Sequence, residues 1–339
     1  MKKKRLLWQL PFLTLLIVGT IIIVRQQQNI PYRNNKGFIF GTTYSITYQC
    51  DSDLNTQIVD ELNRVDASLS PFNEQSIITA VNNNRRVQPD TMFTDVFRLA
   101  MTISDQTAGA FDITVAPLVN AWGFGFKSGT SPDNHAIDSL KAIIGYKRVR
   151  LTPDGFVEKD DPRIMLDCSA IAKGYGADRV AKLMERLGIA NYMVEIGGEV
   201  VTRGISAKRL PWRIGVTKPT DDSLSVDTEL QTVLNITDCA MATSGNYRNF
   251  YYRGGRKYAH TIDPHTGHPV QHSLLSATVL ADNCATADAY ATAFMVMGME
   301  RAQQLLDRHQ ELMAYFIYAA PDGELRVWYS PTLKDKITE

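Results

Sequence analysis

A run of 19 uncharged residues, Leu6 to Val24, divides this chain before any fold is considered. As a helix it would span about 28 Å at roughly 1.5 Å per residue, close to the hydrocarbon thickness of a bilayer. Lys2, Lys3, Lys4 and Arg5 precede it, and charges so placed stay in the cytoplasm, which puts everything after Arg25 on the outer side. Arg25 is followed by Gln26, Gln27 and Gln28 rather than by the small residues of a cleavage site, so a retained anchor is expected in preference to a removed signal peptide. No cysteine precedes Cys50, which leaves no N-terminal thiol for a lipid. Residues 1–30 are therefore expected to be a cytoplasmic stub and one transmembrane helix, and residues 31–339 an extracytoplasmic body that must fold by itself.

Across the whole chain 36 Lys and Arg balance 36 Asp and Glu. Lys2, Lys3, Lys4, Arg5 and Arg25 all lie before residue 31, so the body carries 31 basic against 36 acidic groups, a net of −5. A mildly acidic body has no electrostatic reason to bind nucleic acid. With 44% hydrophobic residues it is neither disordered nor a disulfide-held miniature. Cys50, Cys168, Cys239 and Cys284 are scattered without C-x-x-C spacing. Buried thiols in strands are expected rather than a structural metal or a disulfide.

Hairpins and isolated helices alternate along the body without sustained βαβ order, which predicts an α+β fold. Phe38 to Tyr48 reads as a strand broken by Gly41. Helical spacing of apolar residues predicts helices over 53–69 and 91–107. Residues 110–134 carry too many Gly, Pro and aromatic residues for a helix. A hairpin is predicted around Pro153-Asp154-Gly155, then a strand over 163–166 and a helix from Lys173 to Leu187 capped by Gly188. Strands follow over 192–196, 212–217, 232–236, 274–280, 313–318 and 325–329, with helices near 285–297 and 300–309.

Several clusters invite chemistry. Lys173-Gly174-Tyr175-Gly176 holds a G-x-G, but Arg179 stands where a dinucleotide fingerprint needs its third glycine. At a strand-to-helix junction these residues suit either an anion or a plain helix cap. His260, His265, His268 and His272 lie close in sequence. The tight turn Asp263-Pro264-His265-Thr266-Gly267 among them would splay the imidazoles and disfavour zinc. Asp288 and Thr292, four apart on a helix of small residues, present two oxygens on one face, as a cap or as ligands of a hard cation. Gly197-Gly198-Glu199 lets the backbone approach a ligand or merely a neighbouring strand.

In this order, the segments FGTTYSITY (40–48), LSPFNEQSIITAVN (69–82), GAFDITVAPLVNAWGFG (109–125), LDCSAIAKGYGADRV (166–180), VEIGGEV (194–200) and 242–293 with YAHTIDPHTGHPV and ATADAYATA resemble the ApbE family of FAD:protein FMN transferases. Phe40 and Asn246 depart from the Met and Asp often found there. The resemblance implies a two-lobed, T-fold-like domain of antiparallel or mixed sheet with flanking helices. It implies periplasmic, Mg²⁺-dependent transfer of FMN from FAD to Thr or Ser of flavoprotein subunits of membrane electron-transfer complexes, with release of AMP. Phe40, Phe72, Ala110, Phe111 and Asp112 match positions lining the flavin and adenine pockets. Ser169 and Lys173 match the phosphate region, Ile262 another FAD contact, and Asp288, Thr292 and the Ala172 carbonyl the metal site.

His260 is the candidate general base, since an imidazole titrates near working pH; binding phosphate or backbone is the other role open to it. Two further readings compete: water as acceptor, giving FMN and AMP, and an FAD-binding protein without turnover.

Overall fold

The computed structural model describes residues 11–20, 30–125, 132–219, 229–246, 250–253 and 256–338. Residues 11–20 are helical (α1). Among the described residues no helix is long and apolar enough to cross a membrane. Residues 1–10 and 21–29, which make up the rest of the expected anchor, lie outside the described part.

The body is built on an eight-stranded sheet in the order β1-β2-β5-β6-β9-β12-β13-β14. The strands are β1 (Tyr32–Ile39), β2 (Thr42–Gln49), β5 (Tyr192–Ile196), β6 (Glu199–Arg203), β9 (Cys239–Gly245), β12 (Leu274–Ala281), β13 (Met313–Ala319) and β14 (Leu325–Tyr329). Neighbours in this sheet pair antiparallel. A small antiparallel sheet joins β7 (Trp212–Thr217), β8 (Leu230–Ile236) and β15 (Ile337–Thr338). Two hairpins, β3 (Val149–Leu151) with β4 (Val157–Lys159) and β10 (Phe250–Arg253) with β11 (Arg256–Ala259), stand apart.

Period-two alternation sorts the large sheet's side chains between two layers. Ala242, Val279 and Phe316 join one core with helices α4 (Thr91–Gln106), α8 (Cys284–Met297) and α9 (Met299–Leu306). Their neighbours Met241, Leu280, Tyr315 and Ile317 face the small sheet through Trp212, Ile214 and Leu234. Toward the β1 edge, Ile46, Tyr48, Tyr192 and Val194 pack on α2 (Asn55–Leu69) and α7 (Ala172–Arg186). The remaining helices are short: α3 (Ile77–Asn82), α5 (Ala116–Ala121) and α6 (Asn134–Lys141).

Four local readings change. Gly41 does not interrupt one strand but, with Phe40, makes the two-residue turn between β1 and β2, with φ of +74° and +52°, as a tight hairpin with left-handed corners requires. The stretch 110–134 does contain a helix, α5, because Pro117 sits in its first turn, where a missing N–H costs nothing. Residues 163–166 form no strand: Asn82 brackets Leu166 by bonding both its N–H and its C=O. The Lys159 ammonium meanwhile donates to the Ile164 carbonyl, so side chains take the backbone bonds a neighbouring strand would have made. Finally, the four cysteines are all free, but of them only Cys168 and Cys284 are buried and only Cys239 lies in a strand; Cys284 opens a helix, and Cys50 and Cys168 stand in loops.

Candidate active site

Helix α8 is an alanine-rich rod buried along most of its length, with Asp288 and Thr292 its polar exceptions on the cavity side. A helix so buried cannot hydrate its first-turn N–H groups, so the protein must supply acceptors. Asp178 of α7 does this for two of them, accepting from Cys284 N–H at 2.7 Å and Ala285 N–H at 2.9 Å. Asn283 accepts from Thr286 N–H. The two helices touch closely because Gly174 has no side chain: a Cβ there would lie 2.3 Å from the Cys284 carbonyl oxygen. Gly176 leaves room in the same way for the Phe40 ring, 2.6 Å from where its Cβ would stand. The G-x-G is thus used for packing.

That contact fixes Asp288. Gly174 N–H, an unpaired donor in the first turn of α7, donates to Asp288 Oδ2 at 3.1 Å. Lys173 Nζ lies 3.8 Å from Asp288 Oδ1 and 3.0 Å from Glu199 Oε1. Glu199 reaches this point because Gly197 and Gly198, with φ of +64° and +103°, turn β5 tightly into β6. It is 3% exposed, and its Oε2 has no hydrogen-bond partner. Burial pushes both acids above their ordinary range, and the lysine partly restores them. Burial also presses on the Lys173 ammonium, but Asp288 and Glu199 outweigh it and hold that group above its usual value.

Above this cluster opens a cavity of about 410 Å³ lined by Phe72, Ala110, Phe111, Asp112, Ser169, Lys173, His260, Ile262, Asp288 and Thr292. Phe40 and Ala172 lie outside it, in the wall of a second cavity of about 480 Å³. The two cavities share Pro71, Phe72, Ser169 and Lys173. His260 has the Phe124 ring edge-on at 6.4 Å between centroids.

Three expected ligand-binding residues have structural duties. Asp112 accepts from Thr114 N–H and Oγ1 at 2.7 and 2.6 Å and from Tyr146 N–H at 2.9 Å. Gly145 N–H then donates to Thr114 Oγ1, so the D-x-T pair braces two loops, a job that motif's spacing signals. Phe111 is 3% exposed and belongs to the main core. Ile262 packs with Leu118, Trp122 and Ile137. Glu199 was missed as a site residue; its position at the start of a buried strand directly after two glycines was the available sign.

The histidines part as the turn predicts. Gly267 N–H donates to the Asp263 carbonyl, His265 bonds Asp263 and the Ala108 carbonyl, His268 lies against Trp122, and His272 bonds the Met295 carbonyl. Among the described residues no three His, Cys, Asp or Glu side chains converge as a metal site. A hard cation held by Asp288, Thr292 and the Ala172 carbonyl needs no such cluster. The all-oxygen donor set fits one, with Asp288 Oδ2 fixed and Oδ1 only distantly approached by a cation.

Residues 40–316 match the profile of the ApbE family. The chain is 39% identical over 299 residues to the FAD:protein FMN transferase of Vibrio cholerae (strain O395), covering 85% of this chain and 87% of that one. It is 36% identical over 291 residues to that of Escherichia coli K12, covering 84% and 81%. Among solved structures, the flavin transferase ApbE from Vibrio cholerae superposes with a TM-score of 0.80 at 34% identity, over 90% of this chain and 99% of that one.

Proposed function

The chain belongs to the ApbE family of flavin transferases, and from that premise we propose that it moves FMN from FAD onto a Thr or Ser hydroxyl of an acceptor flavoprotein, releasing AMP. The observation that carries this reading is the pair of cavities joined at Ser169 and Lys173. A dinucleotide has two ring systems and a pyrophosphate between them. Two chambers suit the rings, and the shared hydroxyl and ammonium suit the pyrophosphate.

Asp288, Thr292 and the Ala172 carbonyl would hold Mg²⁺, which when bound neutralises charge developing on the pyrophosphate oxygens. Lys173 adds a fixed positive charge beside the same oxygens. His260 takes the proton from the acceptor hydroxyl as its oxygen bonds the FMN phosphorus; the P–O bond to AMP breaks, and AMP leaves with the electron pair. The buried alanine face of α8 keeps Asp288 away from bulk water.

We place residues 1–30 as a stub and anchor in the inner membrane and the body on the periplasmic side, on the strength of the uncharged run behind four basic residues. Acceptors are then flavoprotein subunits of membrane electron-transfer complexes. Co-expression with such a subunit, followed by intact mass, should reveal an added FMN that disappears with Asp288→Asn. Rapid AMP release from FAD without acceptor would instead assign a hydrolase, and FAD left intact with every acceptor a binding protein.

A further inference from the structure

One ammonium serves two buried carboxylates at the floor of the cavity, and it does not serve them equally. Lys173 Nζ is at hydrogen-bond distance from Glu199 Oε1, 3.0 Å, but 3.8 Å from Asp288 Oδ1. The two acids differ in what else supports them. Asp288 has the Gly174 N–H and the positive end of α7. Glu199 has the lysine and, more weakly, its own backbone N–H, while its Oε2 is buried without a partner. An ion pair forms where its absence would cost more, and a buried carboxylate that already has one oxygen without a partner is the costlier one to abandon.

We infer that Glu199 is a positioning residue that keeps Asp288 available for a divalent cation by claiming the Lys173 ammonium. Without the Glu199 charge, the nearest anion left to Lys173 is Asp288, and an ammonium seated there competes directly with a metal ion for the same oxygen. Glu199 thereby acts on the cation through the lysine, without touching it. This inference rests on the reading of Asp288 as a cation ligand.

The test is a Mn²⁺ titration of FAD-saturated protein without acceptor, followed by loss of the free-ion paramagnetic resonance signal, with thermal unfolding as the check on fold. Glu199→Gln, which keeps shape and removes charge, should weaken Mn²⁺ binding roughly tenfold or more. Combining it with Lys173→Met should restore binding to within about threefold of the parent, because no ammonium is left to occupy Asp288. Lys173→Met alone should bind Mn²⁺ at least as tightly as the parent, which keeps the test open if Glu199→Gln fails to fold. Parental binding by Glu199→Gln, or a double variant as weak as Glu199→Gln, overturns the inference while the metal reading stands. Equal Mn²⁺ uptake by the parent and Asp288→Asn overturns the metal reading itself, and this inference with it.

Discussion

Phe72 and Phe111 share a cavity wall but stand in it differently: Phe72 is 69% exposed and Phe111 only 3%. Phe111→Ala should therefore cost about 3–5 kcal/mol of stability, as a large void in a packed core does. Phe72→Ala should change stability by less than about 0.5 kcal/mol and weaken FAD binding by roughly tenfold through loss of a stacking face. Denaturant melts and flavin fluorescence titrations of the two variants check this, and an early melt for Phe72→Ala would return it to the core. The motifs alone could not separate them, because LSPF and GAFD name residues without saying which way each faces. The D-x-T spacing signals that Thr114 bonds Asp112 but not which loop the pair holds, since Tyr146, which donates to Asp112, and Gly145, which donates to Thr114, lie more than thirty residues away. Glu199 was legible only as part of a Gly-Gly-Glu turn, because the meaning of its side chain depends on Lys173, which only the fold brings beside it.

Helix α8 owes its start to Asp178, and that dependence has a pH signature. Burial pushes the Asp178 carboxyl up to about 6, against the pull of the Cys284 and Ala285 N–H groups. In the unfolded chain an aspartate titrates near about 3.9, so between about pH 4 and pH 6 the folded protein keeps a proton the unfolded chain has released. Stability from this group is therefore greatest at low pH, falls as pH rises through that window, and is level above it. Asp178→Asn cannot titrate, so the stability gap between parent and variant should narrow from about pH 4 to pH 6 and then hold constant. Thermal melts across that range check it; a gap independent of pH would mean that Asp178 is not held up by burial. The helix itself, with Asp288 and Thr292 on one face, was legible from spacing, as were most strands from β-branched alternation. Segments whose backbone partners are side chains were not: residues 163–166 look like a strand because Ile164 and Leu166 alternate inward, while Asn82 and Lys159 supply the bonds.

The large sheet is covered on one face by helices and on the other by the small sheet, so the body from β1 onward buries its own core. Residues 31–339 alone should accordingly be soluble and transfer flavin to a soluble acceptor at a rate close to that of the full chain, by intact-mass time course. Aggregation of that fragment, or activity only with residues 1–30 attached, would count against a tether with no catalytic part. The position of β1 in that sheet has a further meaning. Tyr32 stands at one end of this eight-residue strand and Ile39 at the other, next to the turn that carries Phe40 into the second cavity wall. At roughly 3.3 Å per residue the strand is a rigid boom about 26 Å long. Paired with β2 along its whole length, it acts as a gauge block: the distance from the point where the chain joins the sheet to the corner that walls the second cavity is set by the sheet and not by the segment before it.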